Sequence, residues 1–146
     1  MALALVLAHM STRFDAGEGT ETRELLHFLT QETRFSLLAN VLGHPEGMPS
    51  MYELEQLNPS VSEATVYKHV QKLVDAGVLE AVTLPEEQRQ QGYPWKFYRA
   101  SDEGREFLER HNLLAAEETL EALYGTIEDK PEKMVRYENA PRPDLE

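Results

Sequence analysis

The chain has 146 residues, enough for one domain of ordinary size with an extension and too few for two domains with separate cores. It contains no cysteine, so disulfides, thiol catalysis and cysteine-ligated zinc are excluded. With 26 acidic and 14 basic residues the net charge is −12, whereas a nucleic-acid-binding domain is ordinarily basic.

Residues 1–20 are expected to lie outside the fold, as a cloning remnant and a disordered N-terminus. The first ten, MALALVLAHM, are apolar but too short to span a bilayer, and they lack the basic start and cleavage site of a secretory signal. His9-Met10 is typical of a cloning junction, as is Leu145-Glu146, so the natural chain is expected to run from about Met10 to Asp144. The next ten residues are polar and aperiodic, which predicts disorder.

Two helices are predicted between Glu21 and Gly43. Leucine, phenylalanine and valine recur there at helical spacing, except across the polar step of residues 30–33. We expect a break near Thr30 and an end at Gly43, because a residue followed by proline, as in His44-Pro45, disfavours the helical conformation.

A helix-turn-helix motif is predicted for the next stretch. Residues 50–53, SMYE, fit a capping box that starts a two-turn helix, and Asn58-Pro59 ends it. Residues 60–63, SVSE, fit a second capping box, and Gly77 stands where a left-handed residue commonly ends a helix. Two short capped helices joined by a tight turn are the pattern of this motif.

The second helix of the motif has two different faces. An apolar stripe at helical spacing must pack on other helices, and it comprises Val66, Val70, Leu73 and Val74. The opposite face carries polar and charged groups, with an aromatic ring at its edge: Ser62, Thr65, Tyr67, Lys68, His69, Gln71 and Lys72. Such donors suit a DNA groove, where phosphate oxygens and base edges accept them. The alternative is an ordinary solvated face.

A β-hairpin is predicted directly after this helix. Residues 78–84 alternate as a strand does, residues 85–92 form a polar turn, and residues 93–100 are an aromatic-rich returning strand. A hairpin in this position is a wing, and its tip is expected to reach a minor groove.

The wing tip carries one arginine among glutamines. Arginine is suited to the negative potential of a narrow minor groove, so the predicted contacts here are Arg89, Gln90 and Gln91. The alternative is that Arg89 only pairs with the nearby Glu86 or Glu87.

Ser101 is predicted to cap a last helix that runs to about Ile127. Apolar residues there are spaced alternately by three and four positions, which indicates a seam of Leu113, Ala116, Leu120, Leu123 and Ile127. We expect this helix, residues 101–128, to pair with its copy in a two-fold dimer; packing back on its own domain is the alternative. Residues 129–146 are expected to form an extended tail.

The resulting order of helices, helix-turn-helix, wing and long helix resembles the dimeric winged-helix regulators of the MarR, PadR and ArsR type. A large haloarchaeal group of such regulators is similar in the stretches LLHFLTQETRFSLLANVLGHPE, SEATVYKHVQKLVDAGVLEAV, YPWKFYRASDEGREFLE, AEETLEALY and RYENAPRPD. The resemblance covers nearly everything from Glu21 to Asp144. It implies that the recognition contacts come from Ser62, Thr65, Tyr67, Lys68 and Lys72.

The resemblance departs from the MarR pattern at the exit of the wing. The acidic-x-Arg element is present as Glu87-Gln88-Arg89, but the spacing is longer and the Leu-Thr step is replaced by Ala100-Ser101. The haloarchaeal group includes an oxidative-stress regulator, which implies a response to oxidants. Because there is no thiol, oxidation of Met48, Met51 or Met134, or an indirect signal, would have to serve.

The charge is unevenly distributed along the chain, at −3 for residues 1–47, −2 for residues 48–100 and −7 for residues 101–146. Only 5 of the 14 basic residues are lysines, and such an acidic, lysine-poor chain is typical of proteins that work in molar salt, where the Debye length is about 3 Å. Bound salt ions are therefore expected partners. The predicted DNA-facing segment, residues 48–100, is the least acidic of the three.

The predicted fold class is mainly α with a small β-hairpin: a winged helix-turn-helix domain, residues 21–100, followed by a long dimerisation helix. The leading hypothesis is a cytoplasmic, homodimeric regulator of a halophilic archaeon that binds double-stranded DNA. The alternative is a winged-helix module that binds protein in a transcription assembly. No phosphate loop, activated nucleophile or metal-ligand spacing is found, so neither an enzyme nor a cofactor is expected.

Overall fold

The computed structural model describes residues 19–113 and 130–145. The helices are α1 (Gly19–Leu29), α2 (Glu32–Gly43), α3 (Met51–Gln56), α4 (Glu63–Asp75), α5 (Asp102–Arg110) and α6 (Glu132–Glu138). The strands are β1 (Leu79–Thr83) and β2 (Lys96–Ala100), with a short 3-10 turn at Glu86–Gln88 between them. None of the helices in these two ranges is long and apolar enough to cross a membrane.

Side-chain caps set where the helices begin. The predicted capping box of α3 is confirmed, since Ser50 accepts from the Glu53 backbone N–H and the Glu53 carboxylate accepts from the Ser50 N–H. The second predicted capping box is wrong. The cap of helix α4 is Ser62, two positions after the predicted Ser60. The Ser62 hydroxyl is the group that accepts from the free N–H of Thr65.

Helix α4 ends as the sequence predicts. Gly77 has a φ of +79°, and the N–H groups of Gly77 and Val78 donate to the carbonyls of Val74 and Leu73 at 2.9 and 3.0 Å. This left-handed closure satisfies the last carbonyls of the helix and turns the chain into β1.

The core lies where α2 and α4 pack against each other and against the hairpin. Val66, Val70 and Leu73 are fully buried, which confirms the apolar stripe of α4. Leu37 and Leu38 of α2 face them within the same apolar cluster. The packing fixes the direction in which the opposite face of α4 points.

The turn between α3 and α4 is held to α2 by one buried asparagine. The Asn58 amide donates to Asn40 Oδ1 and to the Leu54 carbonyl, both at 2.8 Å, and its oxygen accepts from the Ser36 hydroxyl at 2.8 Å. Because a buried amide is costly unless its donors and acceptor are used, these bonds position the turn closely.

The hairpin pairs β1 and β2 antiparallel, in the register from Leu79 opposite Ala100 to Thr83 opposite Lys96. The Tyr98 N–H also donates to the Pro49 carbonyl at 2.9 Å, so the segment before α3 lies along the free edge of β2. A mainly helical domain with a helix-turn-helix and a two-stranded hairpin is a winged helix-turn-helix fold, as the sequence predicts.

Helix α5 is shorter than predicted. It ends at Arg110, where Asn112 adopts a φ of +59° and the Leu113 N–H closes on the Leu108 carbonyl at 2.8 Å. The prediction of one unbroken helix from Ser101 to Ile127 is therefore wrong, because asparagine tolerates the left-handed conformation that closes a helix. Leu113 packs against the core of its own domain. The other predicted seam residues lie outside the described ranges: Ala116, Leu120, Leu123 and Ile127.

The C-terminal segment is not simply extended. Residues 132–138 form α6, which packs on α3 with Met134 buried and with the rings of Tyr137 and Tyr52 at 5.1 Å. The predicted extended tail is wrong here because Pro131, a residue well suited to a helix start, precedes an amphipathic turn.

Candidate nucleic-acid interface

Helix α4 presents a cationic and aromatic face to solvent. Tyr67 is 55% exposed, Lys68 is exposed and Lys72 is half-buried. Among the residues that the structure describes, neither lysine has a carboxylate oxygen within 4.0 Å of its ammonium nitrogen. In a chain with 26 acidic and 14 basic residues, these two charges are left available to an external anion.

The first turn of α4 uses two of the predicted contact residues in its own cap. The Ser62 hydroxyl donates to Thr65 Oγ1 at 2.8 Å while it accepts from the Thr65 backbone N–H at 3.2 Å. Ser62 therefore has no hydroxyl hydrogen left for a ligand. Thr65 accepts one bond and keeps its own O–H as a donor, which suits a phosphate or a base acceptor.

His69 does not belong to the exposed face. It is buried, with 8% of its surface exposed, and its Nδ1 accepts a hydrogen bond of 3.2 Å from the Arg34 guanidinium. The sequence prediction for this residue is wrong because Arg34, which also donates to the Phe28 carbonyl at 2.7 Å, covers it from α2. Burial, followed by the charges of Arg34, Lys72 and Lys68, lowers the pKa of His69 below its ordinary value.

We expect His69 to make the protein less stable on acidification, since folding lowers its pKa. Below about pH 6.5 the unfolded chain binds a proton at this histidine more readily than the folded chain does. The contribution of His69 to the free energy of unfolding is therefore fully present above that pH and is lost as the pH falls below it. Thermal unfolding at about pH 7.5 and about pH 5.5, in constant KCl, should show a smaller loss for His69→Gln than for the wild type. The exposed His27 supplies the control: His27→Gln should lose as much as the wild type.

The tip arginine of the wing is exposed but held in place. Arg89 Nε donates to the Leu84 carbonyl at 3.0 Å, and its guanidinium carbon lies 3.9 Å from the centre of the Trp95 ring. No carboxylate of the described residues lies within 4.0 Å of Arg89, so the alternative of a pair with Glu86 or Glu87 is not observed. Stacking keeps the charge ordered at the surface.

Gln90 and Gln91 follow this arginine in the chain, and both are exposed. The Gln90 carbonyl accepts from the Tyr93 N–H at 3.1 Å. Gly92, just before Tyr93, has a φ of +86°, which closes the turn. Their role as DNA contacts stays a prediction.

Helix α3 carries a fully buried carboxylate, Glu53. The Glu53 oxygens accept from His44 Nε2, Arg142 Nη2 and the Ser50 hydroxyl, each at 2.8 Å. The Glu46 backbone N–H donates to His44 Nδ1 at 3.0 Å, so Nε2 is the ring nitrogen that faces Glu53. Burial alone would raise the pKa of Glu53, but the His44 bond, the Arg142 charge and the Ser50 N–H outweigh burial and lower it.

Sequence reasoning missed the basic residues that lie near the wing but outside α4 and the tip. Lys96 is exposed on β2, 5.9 Å from the Tyr98 ring centre, and Arg136 of α6 donates to the Gly92 carbonyl at 3.1 Å. A lysine inside an aromatic strand was an available signal for the first, whereas nothing local places Arg136 beside the wing.

No group of three or more histidine, aspartate or glutamate side chains in residues 19–113 and 130–145 is arranged to hold a metal ion. The elements and surface described above define a winged helix-turn-helix protein. A solved structure is similar over most of its length: a protein with a GntR superfamily winged-helix-turn-helix domain from Halomicrobium mukohataei. It is 29% identical, covers 87% of this chain and 89% of its own, and superposes with a TM-score of 0.77.

No protein-family model matches the sequence, and no curated protein is significantly similar to it. The similarity to the haloarchaeal structure therefore supports a winged-helix protein without favouring the MarR, PadR or ArsR type.

Proposed function

We propose that this protein is a transcription regulator that binds double-stranded DNA through α4 and the wing. The observation that carries the proposal is the exposed face of α4 beside Tyr67, where neither Lys68 nor Lys72 has a carboxylate partner among the described residues of a chain of net charge −12. A winged helix-turn-helix places this face toward a major groove.

Each part of the surface has a distinct task in this proposal. Lys68 and Lys72 bind phosphate oxygens, which position the protein on the duplex. Tyr67 and the Thr65 hydroxyl contact base edges or a thymine methyl group. Arg89, ordered by Trp95, enters the flanking minor groove, where negative potential is strongest if the groove is narrow.

The finer assignments rest on the sequence resemblance. We propose a homodimer whose subunits pair through the predicted seam residues that follow Leu113, namely Ala116, Leu120, Leu123 and Ile127, so that two α4 helices meet half-sites about one helical turn apart or a multiple of it. The resemblance to the haloarchaeal regulator RosR implies a cytoplasmic, oxidant-responsive regulator of a halophilic archaeon. Bound salt ions and short-range contacts would replace the positive field that molar salt screens.

Lys68→Ala is expected to weaken binding to a fragment of the protein's own promoter and to a scrambled duplex by the same factor. A phosphate contact carries no sequence information, and its loss should lower the slope of log K against log salt by about 0.9. Arg89→Ala is also expected to weaken binding. Fluorescence anisotropy titrations over a range of KCl concentrations measure both effects.

The matched control for these variants is Arg110→Ala. Arg110 is an exposed arginine of α5 that already pairs with Glu106 at 3.1 Å, so its removal should leave both affinities unchanged. If the wild type bound no duplex at any salt concentration and a selection from genomic fragments returned no site, the DNA proposal would fail. A protein-interaction module would then be the better hypothesis.

A further inference from the structure

Helix α6 contacts both the helix-turn-helix and the wing. On one side it packs on α3, with Met134 buried and Tyr137 stacked near Tyr52 at 5.1 Å. On the other side Arg136 Nε donates to the Gly92 carbonyl of the wing turn at 3.1 Å, across 44 positions of sequence. The C-terminal segment therefore lies beside the two elements that flank α4 in the chain.

The cations of this region rest on aromatic rings. Lys133 Nζ lies 4.3 Å from the Tyr52 ring centre and 5.2 Å from that of Tyr137. The Arg136 guanidinium lies 5.9 Å from Tyr93 and 6.0 Å from Tyr137. Together these residues form what we term the basic–aromatic surface: Tyr52, Tyr93, Lys133, Arg136 and Tyr137.

The cations of this surface lack carboxylate partners, as Lys68 and Lys72 of α4 do, whereas other basic residues of the described ranges are ion-paired. Arg99, Arg110 and Lys130 all form ion pairs with carboxylates at 3.0 to 3.7 Å. Within the described ranges, no carboxylate oxygen lies within 4.0 Å of Lys133 or Arg136. The segment 130–145 holds four basic and three acidic residues, although residues 101–146 as a whole carry −7.

The acidic neighbour of Lys133 is Glu55 of α3. Burial, followed by the charge of Glu63, raises the pKa of Glu55, while the charge of Lys133 acts in the opposite direction. Glu55 does not reach ion-pair distance, so the Lys133 ammonium keeps hydrogen-bonding capacity for an outside acceptor.

We propose that α6 is a third nucleic-acid contact, in which the basic–aromatic surface binds backbone phosphates of the duplex beside the wing. This inference rests on the proposed function and adds a contact that does not read sequence. The rings hold the cations in place before the duplex arrives, so little side-chain entropy is lost on binding. Molar salt screens such preordered contacts less than it screens a diffuse positive field, although each phosphate contact still adds to the salt dependence of binding.

The test is the double variant Lys133→Gln/Arg136→Gln, titrated with the promoter fragment and with the scrambled duplex across a range of KCl concentrations. If both side chains bind phosphates, both affinities should fall by one common factor and the slope of log K against log salt should drop by about 1.8. Arg110→Gln, which removes an ion-paired arginine elsewhere, should leave affinity and slope at the wild-type values.

Arg136→Lys distinguishes the charge of Arg136 from its hydrogen bond to the wing. It keeps the cation but removes the guanidinium bond to the Gly92 carbonyl. The single variant Arg136→Gln is measured beside it. The inference requires that Arg136→Lys retain most of the wild-type slope; a slope as low as that of Arg136→Gln would mean that Arg136 only supports the wing, and would overturn the inference.

The remaining outcomes are also decisive. Circular dichroism in the titration buffers checks that each variant is folded. A folded double variant with the wild-type slope would overturn the inference, while a loss in Lys68→Ala would still support DNA binding by α4. If the wild type bound neither duplex, both the proposed function and this inference would fall.

Discussion

Replacing Arg142 with alanine is expected to lower the free energy of unfolding by about 3–5 kcal/mol. The reason is the Glu53 carboxylate, which is fully buried and which Arg142 Nη2 contacts at 2.8 Å. Arg142 also donates to the carbonyls of Met48, Tyr137 and Ala140, at 3.0, 2.7 and 2.8 Å. The variant would leave a buried negative charge without its cation and several carbonyls without donors.

Urea unfolding in constant KCl measures the effect, and two further variants identify its cause. Arg110→Ala removes an exposed, ion-paired arginine and should change stability by less than about 1 kcal/mol. Adding Glu53→Gln to Arg142→Ala should recover part of the loss, since the buried charge is then gone. A cost for Arg142→Ala as small as that of Arg110→Ala would contradict the interpretation.

Gly104→Ala is expected to destabilise the protein by about 1–3 kcal/mol or more, because α5 crosses the start of the hairpin in close contact. A Cβ at this position would overlap the Val78 carbonyl oxygen and lie 3.0 Å from Val78 Cα and Ser101 Oγ. The first obstacle is backbone, which cannot rotate away as a flexible side chain would.

Gly47→Ala is the control for Gly104→Ala. Gly47 has a φ of +69° and nothing within 4 Å of an added Cβ, so it tests left-handed backbone strain alone, at about 1–2 kcal/mol. Both variants are compared with the wild type by urea unfolding. A negligible cost for Gly104→Ala would show that α5 moves away from β1 easily.

Most features that depend on neighbouring residues were predictable from the sequence, although the capping box at residues 60–63 was not. The Ser50 and Glu53 capping box and the Gly77 helix end are interactions within a few positions, and the structure has both. The hairpin was also predictable, because alternation and a polar turn need no distant partner. The stop at Asn112 was missed because asparagine adopts the left-handed conformation only in some contexts.

Features that depend on distant residues were not predictable. A helical wheel places His69 beside Lys68 and Lys72, but it contains no information on Arg34, 35 positions earlier, which covers the imidazole. Likewise, the exposed Lys68 was predicted from α4 alone, whereas Arg136 gains its place beside the wing only through tertiary packing of α6. The tail was predicted as extended because of its prolines and charge. The overlooked signal was an apolar residue in this charged stretch, Met134, which the structure buries.

The contact between Glu53 and Arg142 also orders the events of synthesis, because 89 positions separate the two residues. At about 5–20 residues per second, the ribosome adds Glu53 roughly 4–18 s before Arg142, the arginine that neutralises its carboxylate. During that interval the nascent domain must keep Glu53 either hydrated or protonated, so its interior stays incomplete. The winged domain thus completes its interior only after residue 142 has been added, and a chain that ended earlier would lack the cation that pairs with Glu53.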